Sequence, residues 1–393
     1  MRLNARIAAP AILLLLSAVL AVPAPAAETT ATVSVRDSGV STHVARYECT
    51  PGHMIETRSF NIESGVRRYS FGYSGCVDPS HGDERPSSEG NFGMPTPTRC
   101  NYYAAGFLGI IINGKDAIRH RVIGMQTLET GERGCFQALF AHPDATVGVR
   151  LLMYPDGNHV LSHIQWIPRE GATINSVTVK LITYPSYFTT FNNRVGDRHC
   201  MTPRTDQQQV SRLDLVAGED TSLLFYDTVF DVARGEGEGP CGVVIGQDGF
   251  TGGHVDIAAY PVLSYLDFDP AAGQAKMAFY DFSGMTNAEA MEYFAQHGRA
   301  DLERLVATDF RPEPVQKLTF ADFEAQMNEL LAGAADDGEA LRPKTLQLIA
   351  DVKTHSHSSA AGDWEAEAKL AKLLIDSEEM LWKLKVFALL NRE

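Results

Sequence analysis

The chain has 393 residues, 44% of them hydrophobic and 21% charged, with a formal net charge of −15 at pH 7. That length and apolar content allow one or two substantial cores, which excludes a disordered chain or a mini-fold dependent on staples. The negative field repels nucleic acid and anionic membrane surfaces, so neither is an expected partner.

Residues 1–26 carry Arg2 and Arg6, then an apolar stretch from Ala8 to Val22, then Ala24-Pro25-Ala26. Basic, apolar and small residues in that order read as a secretory signal cut before Ala27. Its apolar part is short for a membrane span, and no Cys follows to take a lipid anchor. The expectation is an exported protein, secreted or periplasmic, made more acidic by the loss of two arginines. Six cysteines follow, Cys49, Cys76, Cys100, Cys135, Cys200 and Cys241. An even number in an oxidising compartment points to disulfides. Cys76 and Cys100 are the candidate pair, because they flank a Pro- and Gly-rich excursion over Asp78–Thr98. No Cys-x-x-Cys occurs, which weighs against zinc or thioredoxin-like chemistry.

Short alternating runs set the expected architecture: Thr32–Val35, Met54–Ile62 and Val66–Tyr73 read as strands. Asn113-Gly114 between two apolar runs signals a tight hairpin, and Thr146–Tyr154 with His159–Ile167 signals another. Thr173–Tyr184 alternates with Val177, Val179 and Leu181 on one face. Gln209–Val216, Ser222–Tyr226, Val243–Ile245, Val255–Tyr260 and Lys276–Phe282 continue the pattern. After Gly284 the period changes. Thr286-Asn287-Ala288-Glu289 is a capping box opening a helix to His297, and Asp301–Ala307 is a second short helical run. Thr319 caps an apolar stripe ended by Gly333, and Pro343–Val352 is helical. His355–Gly362 reads as a polar loop, after which Asp363 caps a long amphipathic run.

These readings predict a mainly β chain: a large antiparallel β-sandwich over 27–284, followed by an α-helical region over 285–393. Large sandwiches in exported proteins often bind or process carbohydrate, an analogy at the level of fold. The residues that carry such a function are sought in three places. Arg194–Gln209 reads as a loop with a local positive charge, in which Arg198 and Arg204 are candidates to bind a carboxylate on an acidic sugar and His199 to move a proton. His254 and Asp256, two positions apart on one strand face, are the candidate acid–base pair beside Gly249, Gly252 and Gly253. His163 shares a strand face with His159, Leu161 and Gln165 and is a candidate for substrate contact. No metal ligands and no cofactor are assigned. Gly-x-Ser-x-Gly, His-Glu-x-x-His and a phosphate-cradling glycine loop are absent. The alternative expectation is a non-catalytic module whose C-terminal helices form a protein interface.

Overall fold

In the computed structural model the described residues are 32–46, 49–76, 90–96, 102, 106–155, 157–169, 171–186, 193–229, 239–310, 320–333 and 342–360. The expected signal, most of the Pro/Gly-rich excursion, Cys100 and the run after Asp363 lie outside them.

The chain opens with β1 (Ser34–Asp37), β2 (Ser41–Val44), β3 (Met54–Ser64), β4 (Arg67–Cys76) and β5 (Asn91–Thr96). These make a five-stranded sheet ordered β1-β3-β4-β5, with β2 also paired to β3. Next come β6 (Leu108–Ile112), β7 (Lys115–Asp116), β8 (Arg121–Glu129), β9 (Gly134–Ala141), β10 (Ala145–Met153), β11 (His159–Pro168) and β12 (Val177–Thr183). They are followed by β13 (Arg198–Met201), β14 (Asp206–Gln208), β15 (Ser211–Leu215), β16 (Ser222–Asp227), β17 (Cys241–Ile245), β18 (Phe250–Ile257), β19 (Val262–Phe268) and β20 (Gln274–Asp281). One sheet of nine strands runs β14-β13-β16-β17-β20-β11-β10-β9-β8, and one of six runs β15-β18-β19-β12-β6-β7. The β6–β7 hairpin turns on Asn113 and Gly114, at φ 49° and 81°, with Ile112 opposite Lys115. Both residues sit at the positive φ that this turn requires.

Alternation along the strands decides which faces meet. Val177, Val179 and Leu181 of β12, Leu266 of β19, Val147 and Val149 of β10 and Phe279 of β20 share one core. Phe60, Phe71 and Phe92 of the five-stranded sheet enter the same core. There Phe60 stacks on Phe136 at 5.8 Å, and Phe71 meets Phe140 edge-on at 5.6 Å. The expected antiparallel sandwich is therefore present, its core lying between facing sheets.

A second apolar cluster lies on the outer face of the nine-stranded sheet, where Leu152, Leu161, Tyr280 and Phe282 meet Phe294 and Leu305. Phe294 and Leu305 belong to α1 (Asn287–Ala307). Thr286 caps this helix: Glu289 N donates to Thr286 Oγ1 at 3.2 Å, and Thr286 N donates to Glu289 Oε2 at 2.7 Å. The two helical runs expected from sequence are one helix. Its seat on the sheet is Gly242, where a Cβ would stand 2.4 Å from Phe294 Cε2. Beyond the helix the backbone is held down by Arg150, whose Nη1 donates to Phe310 O at 2.8 Å, and by Lys276, whose Nζ donates to Thr308 O at 3.3 Å. Among the described residues two further helices follow, α2 (Phe320–Gly333) and α3 (Arg342–Ala360), which pack on one another. His355–His357, read from sequence as part of a loop, continue α3. Among the described residues no helix is long and apolar enough to cross a membrane.

Candidate functional site

The Arg194–Gln209 window is not a loop throughout: it contains β13 and β14 at one edge of the nine-stranded sheet. Alternation on β13 sends its residues to opposite faces. Cys200 belongs to the inner core, and Met201 packs against the outer cluster. Arg198 shares the inner face with Cys200 and is fully buried. Its Nη1 donates to Ala259 O at 2.8 Å and its Nη2 to Ser186 O at 3.4 Å, so it ties the nine-stranded sheet to the loop after β18. Burial lowers its pKa, and the nearby buried carboxylate of Asp227 opposes that shift. Such a guanidinium is structural and does not reach a surface ligand.

His199 faces the other way. Its ring stacks on Tyr226 at 4.9 Å, its Nδ1 lies 3.2 Å from Asp206 Oδ1, and its Nε2 lies 3.6 Å from Asp197 Oδ2. The Tyr226 hydroxyl donates to the other Asp206 oxygen at 2.5 Å. Burial, followed by this bond to a carboxylate, raises the tyrosine pKa. Asp197 also accepts from Thr228 Oγ1 and Gln208 Nε2, which hold its pKa below the usual carboxylate value. Arg204 is engaged elsewhere. Its Nε donates to Asp220 at 3.1 and 3.0 Å and its Nη2 at 2.6 Å. Burial alone would raise the Asp220 pKa; the Arg204 bonds and the Val216 amide outweigh it, leaving the pKa lowered. His163 sits beneath the segment that follows α1. Its ring lies 5.0 Å from that of Phe310, and its Nε2 is 2.9 Å from Gln274 Oε1.

His254 and Asp256 do come together, with Nε2 3.7 Å from Oδ2, on the outer face of the six-stranded sheet. Val255 and Ile257 between and beyond them point into the core. His199 and His254 thus project from opposite outer faces of the sandwich, and among the described residues no single cleft collects the arginines with both histidines.

Around His254 the register builds a row that crosses the sheet. Asp214 of β15 pairs with His254 of β18, His254 with Tyr265 of β19, and Tyr265 with Lys180 of β12. The His254 ring stacks on Tyr265 at 4.7 Å, and Lys180 Nζ lies 5.8 Å from the same ring centre. Both faces of the tyrosine are therefore flanked from the neighbouring strands. Lys180 pairs in turn with Gly109 of β6. A Cβ at Gly109 would stand 3.0 Å from Asp116 Oδ2 and 3.6 Å from the Lys180 Cβ. The glycine makes room for the Asp116 carboxyl as the fifth member of the row. Asp116 Oδ1 accepts from Ile110 N and Ile118 N, both at 3.1 Å. Burial raises its pKa against those bonds and the nearby Lys180 charge.

Sequence reasoning located His254, Asp256 and His199 but missed Asp197, Asp206, Tyr226, Asp214, Tyr265, Lys180 and Asp116. Asp197 and Asp206 lie two and seven positions from His199, within the Arg194–Gln209 window, whereas strand pairing brings the others in from distant segments. Cys200, adjacent in sequence to His199, is fully buried on the opposite face, and burial raises its pKa. It should resist alkylation in the native protein and react once the chain is unfolded in denaturant, as followed by mass spectrometry of the Cys200 peptide. Native-state alkylation at a rate similar to that in denaturant would contradict this placement.

No family model and no curated protein matches the chain. Among solved structures it is similar to the GH36 alpha-galactosidase AgaB from Geobacillus stearothermophilus, at 10% identity and a TM-score of 0.33, over 58% of this chain and 40% of that one. It is similar to the alpha-N-acetylgalactosaminidase NagBb from Bifidobacterium bifidum, at 10% identity and a TM-score of 0.36, over 70% of this chain and 41% of that one. A chondroitinase AC lyase is similar at 7% identity and a TM-score of 0.31, over 60% of this chain and 37% of that one. The chain spans about two fifths of the length of these solved chains.

Proposed function

We propose that this is an exported carbohydrate-binding β-sandwich whose ligand lies along the Asp214–His254–Tyr265–Lys180–Asp116 row. The row itself carries the reading. It sets hydrogen-bonding side chains on adjacent strands of a rigid sheet, at the inter-strand spacing of about 4.8 Å. A hydroxyl-rich chain laid across the strands meets a donor or acceptor at each step, while the flanked tyrosine ring stiffens the middle. Lys180 supplies a positive charge for a sugar carboxylate, and Asp256, beside His254, adds an acceptor for hydroxyls.

The test is isothermal titration with neutral and acidic oligosaccharides. Lys180→Ala should weaken an acidic glycan by roughly 10- to 100-fold, the range for one charge-assisted contact, and leave neutral glycans nearly unchanged. His254→Ala should weaken both. His199→Ala, on the opposite face, should change neither. If no glycan binds, or if binding survives the row substitutions, the proposal fails.

A second reading rests on the Asp197–His199–Asp206–Tyr226 cluster. A histidine with each nitrogen directed at a carboxylate, beside a tyrosine hydroxyl bonded to one of them, is an arrangement for moving protons. Loss of glycan turnover on His199→Ala, with binding intact, would favour it.

A further inference from the structure

A small third cluster lies apart from both histidine sites, at the end of the five-stranded sheet, where Ala45, Ile55 and Cys76 are buried together with Cys49 packed against them. Its geometry follows from the sequence Cys49-Thr50-Pro51-Gly52-His53. Pro51 and Gly52, the latter at φ 96°, turn the chain so that His53 N donates to Thr50 O at 3.1 Å. Ala45 N then donates to His53 O at 2.7 Å and closes the loop. His53 immediately precedes β3, two residues before Ile55, and Ile55 pairs across the sheet with Cys76, the last residue of β4. Turn and register together bring His53 Nδ1 to 3.7 Å from Cys49 Sγ and 3.6 Å from Cys76 Sγ. The three donor atoms all lie within 4.8 Å of one another.

We propose that Cys49, His53 and Cys76 form a binding site for a thiophilic divalent cation, Zn²⁺. Zinc–sulfur bonds of about 2.3 Å and zinc–nitrogen bonds of about 2.0–2.1 Å at the tetrahedral angle place sulfur and nitrogen about 3.6 Å apart. Both observed separations agree with that spacing. One imidazole nitrogen nearly equidistant from two sulfurs has a single proton to offer, so a hydrogen bond serves one contact well and the other poorly. A cation at the centre serves all three donors. Binding converts two thiols to thiolates and releases their protons, so affinity rises with pH. Three protein ligands leave one of the four zinc positions for water or another donor. The site clamps the loop before β3 to the end of β4 and lies apart from the sugar-binding row.

The experiment uses the full-length protein, reduced and handled without oxygen, with Zn²⁺ as the probe. Metal content is measured by mass spectrometry and affinity by competition with a chromophoric chelator. Co²⁺ in place of Zn²⁺ should give a thiolate-to-metal charge-transfer band. One Zn²⁺ per chain is expected. Cys49→Ser, His53→Ala and Cys76→Ser should each weaken binding by more than about 100-fold, beyond what loss of an outer hydrogen-bond partner causes. Cys200→Ser should leave it unchanged. Cys76 is fully buried, so the loop variants Cys49→Ser and His53→Ala carry the test if Cys76→Ser does not fold. Absence of stoichiometric zinc, or unchanged affinity in His53→Ala, overturns the proposal. So does a disulfide that joins Cys76 to Cys49 or Cys100 in the protein as isolated from an oxidising compartment.

Discussion

Phe294→Ala should lower the unfolding free energy by about 3 kcal/mol, near the lower end for removing a buried phenylalanine, because its ring fills the seat left open by Gly242. That ring meets Phe282 at 5.3 Å and 90° and Tyr280 at 5.4 Å and 68°, over the bare backbone of Gly242. Edge-on aromatic pairs add about 0.5–1.5 kcal/mol each beyond the area they bury. Phe294→Leu keeps part of the volume and should recover more than half of the loss. Gly242→Val, which drives a side chain into the same seat, should destabilise as well, by about 1–3 kcal/mol through overpacking. Urea denaturation of the three variants measures these effects. A loss below about 1 kcal/mol in Phe294→Ala would show that α1 is not anchored by this contact.

The parts of this fold that were legible in the sequence are those with one face buried. β12 shows Val177, Val179 and Leu181 against Thr178 and Lys180, and its period of two survives in the structure as alternating buried and half-buried residues. β9 was invisible for the opposite reason. Every residue of Gly134–Ala141 is buried: Phe136, Ala138 and Phe140 enter the inner core, while Cys135 enters the outer cluster that also contains Phe294. A strand covered on both faces carries no alternation to read. β13 misled in a third way, because one of its two inward residues is Arg198, which donates to two backbone carbonyls, and a charge at an inward position hides the pattern.

The candidate sites show the same limit. The His254–Asp256 pair was readable because both residues lie on one strand. Its partners Tyr265 and Lys180 arrive through the register of two other strands, and Asp116 arrives only because position 109 lacks a side chain. The Cys49–His53 spacing was present in the sequence. Its third member comes from the far end of β4, set by the pairing of Ile55 with Cys76. In each case local spacing supplied two groups, and pairing with strands distant in sequence, which the pattern of one segment does not reveal, supplied the rest.

Acidification between about pH 6.5 and pH 4 should remove on the order of 3 kcal/mol of stability through His159 alone, since each pH unit between its unfolded and folded pKa is worth about 1.4 kcal/mol. His159 lies on the outer face of β11 with its ring stacked on Tyr280 at 4.7 Å, and its Nδ1 is 3.0 Å from Asn158 Oδ1. Burial pushes its pKa down from 6.5 to about 4. Asp301 of α1 opposes that shift, while Arg304 of α1 and Arg67 of β4 add to it. Because the folded pKa lies below the unfolded one, the unfolded chain takes up the proton first. The contribution is complete above the unfolded value and disappears as pH falls toward the folded one. His142 is also lowered to about 4, by burial first and then by His120, and acts in the same direction. Asp116, whose pKa is raised, has the opposite sign and gains stability as it protonates. Asp37, Asp197 and Asp220, held below the ordinary value, lose their contributions only at lower pH. The measurement is urea denaturation at steps between pH 7 and pH 4.5, in the protein and in His159→Phe, which keeps a ring against Tyr280 but cannot titrate. The variant should lose less stability over that range by on the order of 2–3 kcal/mol. Equal slopes in the two proteins would place the pH dependence on other groups and show that the proton on His159 does not distinguish the folded from the unfolded chain.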